Sequence, residues 1–186
     1  KDAVVARLNE NRDGIPYRSE NVHIAGTHTH SGLGGFTHHL MYNVMAGGFD
    51  PHVFESMVRG IVTAIERAHT DLAPGVVLLN EGDLSDVAFN RSMPAFDLNH
   101  DDVRWQFPRG VDETMTLLRF AHRDRATGEE LGIGALCWFG IHATNRGKGC
   151  TEVNGDNKGW AALRFEEMAA QLSSRTREGF VAGFAN

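Results

Sequence analysis

Two histidines, His28 and His30, stand two residues apart in the stretch HIAGTHTHSGLGGF, between a short apolar run and a loop carrying Gly32, Gly34 and Gly35. In an extended segment alternate side chains share a face, so both imidazoles can converge on one point, as His-x-His pairs do in strand-borne metal sites. Zinc takes three or four protein ligands, so the pair is half a site at most; the alternative is two histidines satisfied by polar neighbours. The glycines that follow let backbone pass close to a ligand, here a substrate beside Gly34 and Gly35, although a tight turn would use them equally well. Neither G-x-x-x-x-G-K-[ST] nor G-x-G-x-x-G is present, so the loop is not a nucleotide cradle of either type. His38 and His39 are adjacent, their side chains point apart, and neither is expected to be a ligand.

His142 follows the apolar run ALCWFGI much as His28 follows VHIAG, which suggests two strand ends presenting imidazoles at one rim. Arg91, in FNRSM, sits in a polar turn, where a guanidinium either grips a substrate carbonyl or hydroxyl or is simply a surface charge. Asp156, in NGDNKG, lies at a helix entry and is read as a cap or as an acceptor for a histidine N–H; Asn154 is a second candidate cap. No serine occupies a G-x-S-x-G elbow, so a hydrolase of that type is unsupported.

The elements that must position these residues follow from periodicity. Residues 1–10 read as an amphipathic helix with Ala3, Val4 and Leu8, and VHIAGT as a strand delivering His28 to its end. Val53, Phe54, Met57, Ile61, Ile65, Ala68 and Leu72 recur at three and four between Pro51 and Pro74-Gly75, a helix with clear bounds. VVLLNEGDL, MTLLRFAH and LGIGALCWFGIHA read as strands, the last two joined by a hairpin-like turn in RDRATGEE. GDNKGWAALRFEEMAAQLSS reads as a helix with Trp160, Leu163, Met168 and Leu172 on one side, and GFVAGFAN as a final strand. Interleaved strands and helices without repeats predict an α/β fold, mixed sheets layered with helices, in a single domain.

With 186 residues, 41% of them hydrophobic, the chain can build a core of ordinary domain size. A formal charge of −6 and no long Lys/Arg cluster argue against a nucleic-acid partner. No run of about 18 apolar residues exists that could span a membrane. Cys137 and Cys150 lack the spacing of a disulfide framework or a zinc knuckle and are expected as thiols. The start resembles the middle of a helix and the end an apolar strand, so both ends read as cut from a longer chain.

In order and separation, GTHTHSGLGG, NRSM, WFGIHAT and NGDNKGWAALRFEE resemble the neutral ceramidase family of zinc amidases, from about residue 21 to the end. The resemblance implies part of a larger catalytic domain over residues 1–186, with Zn2+ as cofactor and His28 and His142 as two of its ligands. His30 and Arg91 would line the site and contact the amide carbonyl, with Asp156 and Asn157 in supporting positions. In the family a glutamate and a tyrosine from further along the chain complete the ligand set, and a Gly-Asp-x-Ser-Pro-Asn segment follows the strand that here reads FVAGFAN. The implied reaction is cleavage of the N-acyl amide bond of ceramide to sphingosine and fatty acid; the alternatives are another N-acyl or ester substrate, or a metal-binding module without turnover. The isolated 186-residue chain would then hold zinc weakly and turn over little. A ceramide-like lipid as partner, a peripheral contact with a membrane surface, and a secreted or cell-surface location are further implications. Leu33 stands where the family usually has proline and Ala143 where it usually has glycine, followed by TNRGKGCTEV. These departures lie beside the site and bear on substrate more than on metal.

Overall fold

The amphipathic start forms α1 (Asp2–Asn9) in the computed structural model, which describes residues 1–10, 16–147, 149–172 and 175–186. The chain divides into two compact units, the first of Lys1–Ala25, Ser31–Ala73 and Thr151–Val153, the second of Gly26–His30, Pro74–Cys150 and Asn154–Asn186.

In the first unit Val4 and Leu8 of α1 are buried with Val22 and with Val58 and Val62 of a long helix. Between α1 and that helix lie α2 (Leu40–Asn43) and a 3-10 turn, Val44–Ala46, neither expected from sequence. Their apolar side chains are largely exposed, so no buried period announces them; buried Asn43 anchors them, its Nδ2 donating to the Thr37 carbonyl and its Oδ1 accepting from Thr37 Oγ1 at 3.0 Å. The long helix, α3 (Pro51–Thr70), begins at Asp50, whose Oδ1 accepts the N–H groups of His52 (2.8 Å) and Val53 (3.2 Å). Its buried stripe runs through Phe54, Val58, Ile61, Val62 and Ile65, whereas Met57 and Leu72 of the predicted face are exposed. One short helix covers only a narrow strip of a twenty-residue partner, so the apolar face is wider than the contact.

The strand expected over residues 22–27 does not form. Only Thr29 pairs, in an isolated parallel bridge with Ala143, and His28 at φ 59° departs from extended backbone.

The second unit is built on a four-stranded sheet in the order β1 (Gly75–Asp83), β2, β3, β4. After β1 come two short helices the sequence did not announce, α4 (Met93–Phe96) and α5 (Asp101–Gln106), too brief to show an amphipathic period. Strands β2 (Thr114–Arg123) and β3 (Glu130–Phe139) pair antiparallel through the predicted turn, and β1 pairs antiparallel with β2. A helix, α6 (Asp156–Ala170), then carries the chain over to β4 (Thr176–Ala185), which pairs parallel with β3. This is the predicted α/β arrangement with a mixed sheet. Strand β3 stops at Phe139, short of the expected residue 143, so His142 lies in the segment that leaves the sheet.

Ala135, Cys137 and Phe139 alternate along β3 and are buried, while Leu136 between them is exposed. At Gly134 a Cβ would meet the Val181 carbonyl oxygen at 2.8 Å, so the close approach of β4 requires glycine there. Helix α6 packs on β4 with Phe165 against Phe180 and Phe184, centroids 5.5 and 6.3 Å apart. Its other side, with Trp160, Leu163 and Met168, is exposed, the reverse of the face expected to be covered. The aromatic contacts of Phe165 set which side turns inward. The predicted helix end at Ser173 and Ser174 lies outside the described residues.

Candidate metal centre

Within the second unit the segment Gly26–His30 is stitched beside the chain that leaves β3. The His30 N–H donates to the Ala143 carbonyl at 3.2 Å, and Thr29 Oγ1 donates to the Asn154 carbonyl at 2.8 Å. Immediately before these points His28 takes the left-handed backbone conformation, unusual for a non-glycine residue. The outcome is convergence: ring centroids of His28 and His142 are 4.5 Å apart, of His28 and His30 5.1 Å, and of His30 and His142 5.5 Å. One ring nitrogen from each histidine lies within 4.8 Å of one from each of the others. Alternation along a strand was the expected cause, whereas the observed cause is a left-handed residue next to a single parallel bridge.

Imidazole nitrogens on one tetrahedral zinc stand about 3.4 Å apart, given bonds of about 2.0–2.1 Å, a gap that rotation of exposed side chains can close. Three imidazoles with open positions suit zinc. The His142 pKa is lowered, first by loss of hydration and then by electrostatic interaction with His28, Arg91 and His30 around it. The shift favours the neutral ring, the form that ligates a metal. His30 lies within the same 4.8 Å reach of the two histidines that the resemblance makes ligands.

Arg91 and His142 line one cavity of about 580 Å³ together with Phe89, Val111, Ile141 and Thr144. The turn that presents Arg91 is shaped by Asn90, a residue passed over in the sequence: its Oδ1 accepts the Ser92 N–H at 2.8 Å and its Nδ2 donates to the Gly110 carbonyl at 2.9 Å. Arg91 and His142 thus share one cavity, where a guanidinium suits an oxygen that gains negative charge.

Helix α6 supports the His142 segment from its first residues. Asn157 Nδ2 donates to the His142 carbonyl and to Asn145 Oδ1, both at 2.9 Å. Asp156 is buried at φ 52°, and its carboxylate accepts the backbone N–H groups of Asn145 (3.0 Å), Arg146 (2.7 Å) and Asn157 (2.6 Å). It therefore holds the loop after His142, and the helix is entered through Asn154, whose Oδ1 accepts the Asp156 N–H at 3.0 Å. Burial works to raise the Asp156 pKa, but the three N–H groups outweigh it and the net shift is downward.

Gly34 and Gly35 belong to the first unit, where their lack of a side chain already has an internal use. A Cβ at 34 would meet Ala46 Cβ at 2.8 Å, and Gly35 sits at φ 84° with its carbonyl accepting the Asp50 N–H at 2.7 Å. In the same unit His38 packs on Phe49 and Phe54. Cys137 and Cys150 form no disulfide.

The family model for "Neutral/alkaline non-lysosomal ceramidase, N-terminal" matches residues 1–186. Among curated relatives, the neutral ceramidase of Pseudomonas aeruginosa is 39% identical over 182 residues, 98% of this chain and 25% of the relative. The neutral ceramidase of Drosophila melanogaster is 37% identical over 186 residues, 100% of this chain and 26% of the relative. The crystal structure of the neutral ceramidase from Pseudomonas aeruginosa superposes with a TM-score of 0.83 at 38% identity, covering 98% of this chain and 27% of that one. The chain thus spans about a quarter of the length of the curated relatives it matches. A match over every residue, with the same fold at this identity, makes the chain a member of the neutral/alkaline non-lysosomal ceramidase family, corresponding to the N-terminal part of its members.

Proposed function

We propose that the full-length protein is a zinc-dependent amidohydrolase that cleaves the N-acyl amide bond of ceramide, releasing sphingosine and a fatty acid. The observation that carries this reading is the meeting of His28, His30 and His142, with Arg91 on the cavity that His142 lines, in a chain whose relatives are named neutral ceramidases. His28 and His142 would hold the metal, together with ligands from elsewhere in the protein. Bound zinc would supply Lewis acidity and a water of lowered pKa.

As the amide carbon becomes tetrahedral its oxygen gains negative charge. Arg91 donates guanidinium N–H bonds to that oxygen. His30 is placed to donate to the same oxygen or to carry a proton to the departing sphingoid nitrogen. Apart from the site, the exposed Leu40, Met41, Tyr42, Val44 and Met45 give the first unit an apolar surface that supports a peripheral contact with the membrane holding the substrate. A secreted or cell-surface location accords with such a substrate. Among the described residues no helix is long and apolar enough to cross a membrane.

Substitution tests the roles separately in the full-length protein. Arg91→Ala is expected to keep zinc and to lower kcat/KM by about 10²–10³-fold, the usual effect of removing an oxyanion donor. Unaltered kinetics would remove Arg91 from the site. His28→Ala is expected to lose both zinc and turnover, and retention of both would sink the ligand assignment.

A further inference from the structure

We propose that Lys158 is a positioning residue for the metal centre: its buried ammonium ties the ends of β3 and β4 together through two backbone carbonyls and so fixes where the His142 and His28 segments meet. Its effect on metal binding rests on the zinc site proposed above, and its effect on turnover rests in addition on the hydrolase reading.

Lys158 is 3% exposed, on the side of α6 turned to the sheet. Its Nζ donates to the carbonyl of Phe139, the last residue of β3, and at 2.9 Å to the carbonyl of Ala185, the last residue of β4. The Phe139 ring lies 5.8 Å from the same ammonium. An ammonium offers three donors from one point, so a single side chain can take carbonyls from two strands at once, which no apolar residue at this position could do. Burying a charge is costly unless it is hydrogen-bonded, and these two bonds are what Lys158 receives in return.

From both anchored carbonyls a short chain of bonds leads to a histidine. The Phe139 oxygen also accepts the Ile141 N–H at 2.9 Å, the tight turn that sends the chain into His142. The Ile141 N–H in turn meets Asn186 Oδ1 at 2.9 Å, one residue beyond Ala185. The Asn186 N–H donates to the Gly26 carbonyl at 3.1 Å, two residues before His28. Asp156 and Asn157 fix the far side of the His142 loop, so three consecutive residues of α6 hold that loop from both ends.

The test compares Lys158→Met with wild type in the full-length protein, reading thermal midpoint without metal, zinc affinity by chelator competition, and kinetics on an N-acylsphingosine. The midpoint is expected to fall by several degrees with the protein still folded, because the Phe139 and Ala185 carbonyls lose a donor that methionine cannot replace. Zinc affinity is expected to fall about 10–100-fold, as it does when residues that orient ligands are removed. A kcat lower by about tenfold or more, with KM within about twofold, is expected alongside. A folded Lys158→Met protein with wild-type zinc affinity and kcat would overturn the proposal. Should that variant not fold, Lys158→Gln, which keeps a donor, is measured in the same way, and failure of both to fold would assign Lys158 to stability and overturn the positioning role. If wild type binds zinc yet releases no fatty acid, the hydrolase reading fails while the affinity comparison still decides for or against Lys158.

Discussion

His28 combines a ring that meets those of His30 and His142 with a backbone conformation that most side chains avoid, at φ 59°. The ring could be read from the sequence, and so could its partners His30 and His142, because histidines after short apolar runs are chemically conspicuous. The conformation could not, since positive φ in a non-glycine residue comes from the bonds of Thr29 and His30 to residues more than a hundred positions away. Glycine and asparagine tolerate that conformation, whereas a β-branched residue does not. His28→Gly and His28→Asn are therefore expected to retain the wild-type thermal midpoint while losing zinc, and His28→Val to lose both; equal midpoints for all three would show that the conformation is not constrained. Asp156 has the same conformation and adds three N–H bonds. Because its folded pKa lies below the unfolded value, its contribution is fully present above the unfolded pKa of about 3.9 and is lost as pH falls through the folded one. Asp156→Ala is expected to cost about 1–3 kcal/mol at neutral pH for the unpaired N–H groups, measured by denaturant unfolding, and to flatten that acid dependence.

The elements that position the site were legible where periodicity is long. The helices α3 and α6, the hairpin of β2 and β3, and the final strand all follow from spacing and turn residues. The short elements were not, because four to six residues held by side-chain bonds, as Asn43 holds α2, carry no period. The missing strand at 22–27 has a similar cause: apolar and β-branched residues suit a strand, but a strand needs a neighbour, and only Thr29 finds one. The start of α3 rests on Asp50, the residue before Pro51, whose Oδ1 accepts two backbone N–H groups. Asp50→Ala is expected to destabilise the first unit by about 1 kcal/mol, seen as a lower denaturation midpoint.

Across the whole molecule, chemistry and framework are divided unequally between the two units. The three histidines, Arg91 and their supports from α6 all lie in the second. Gly34 and Gly35, which sequence proximity joined to His30, are counted with the first. Nearness along the chain is a poor guide to membership of a unit when five residues, 26–30, pair with one unit and their neighbours on both sides pack in the other. Large apolar side chains are exposed in both, among them Met45 at 95% and Trp160 at 65%. The isolated 186-residue chain is accordingly expected to self-associate, and a monomer in sedimentation at tens of micromolar would contradict that. The central claim, a zinc-dependent amidase, is tested most directly by fatty acid release from an N-acylsphingosine by the full-length protein, with and without a zinc chelator. Release that stops with chelator and returns with added zinc is the result predicted here. Release indifferent to the chelator, or none from a folded and zinc-loaded protein, would contradict it.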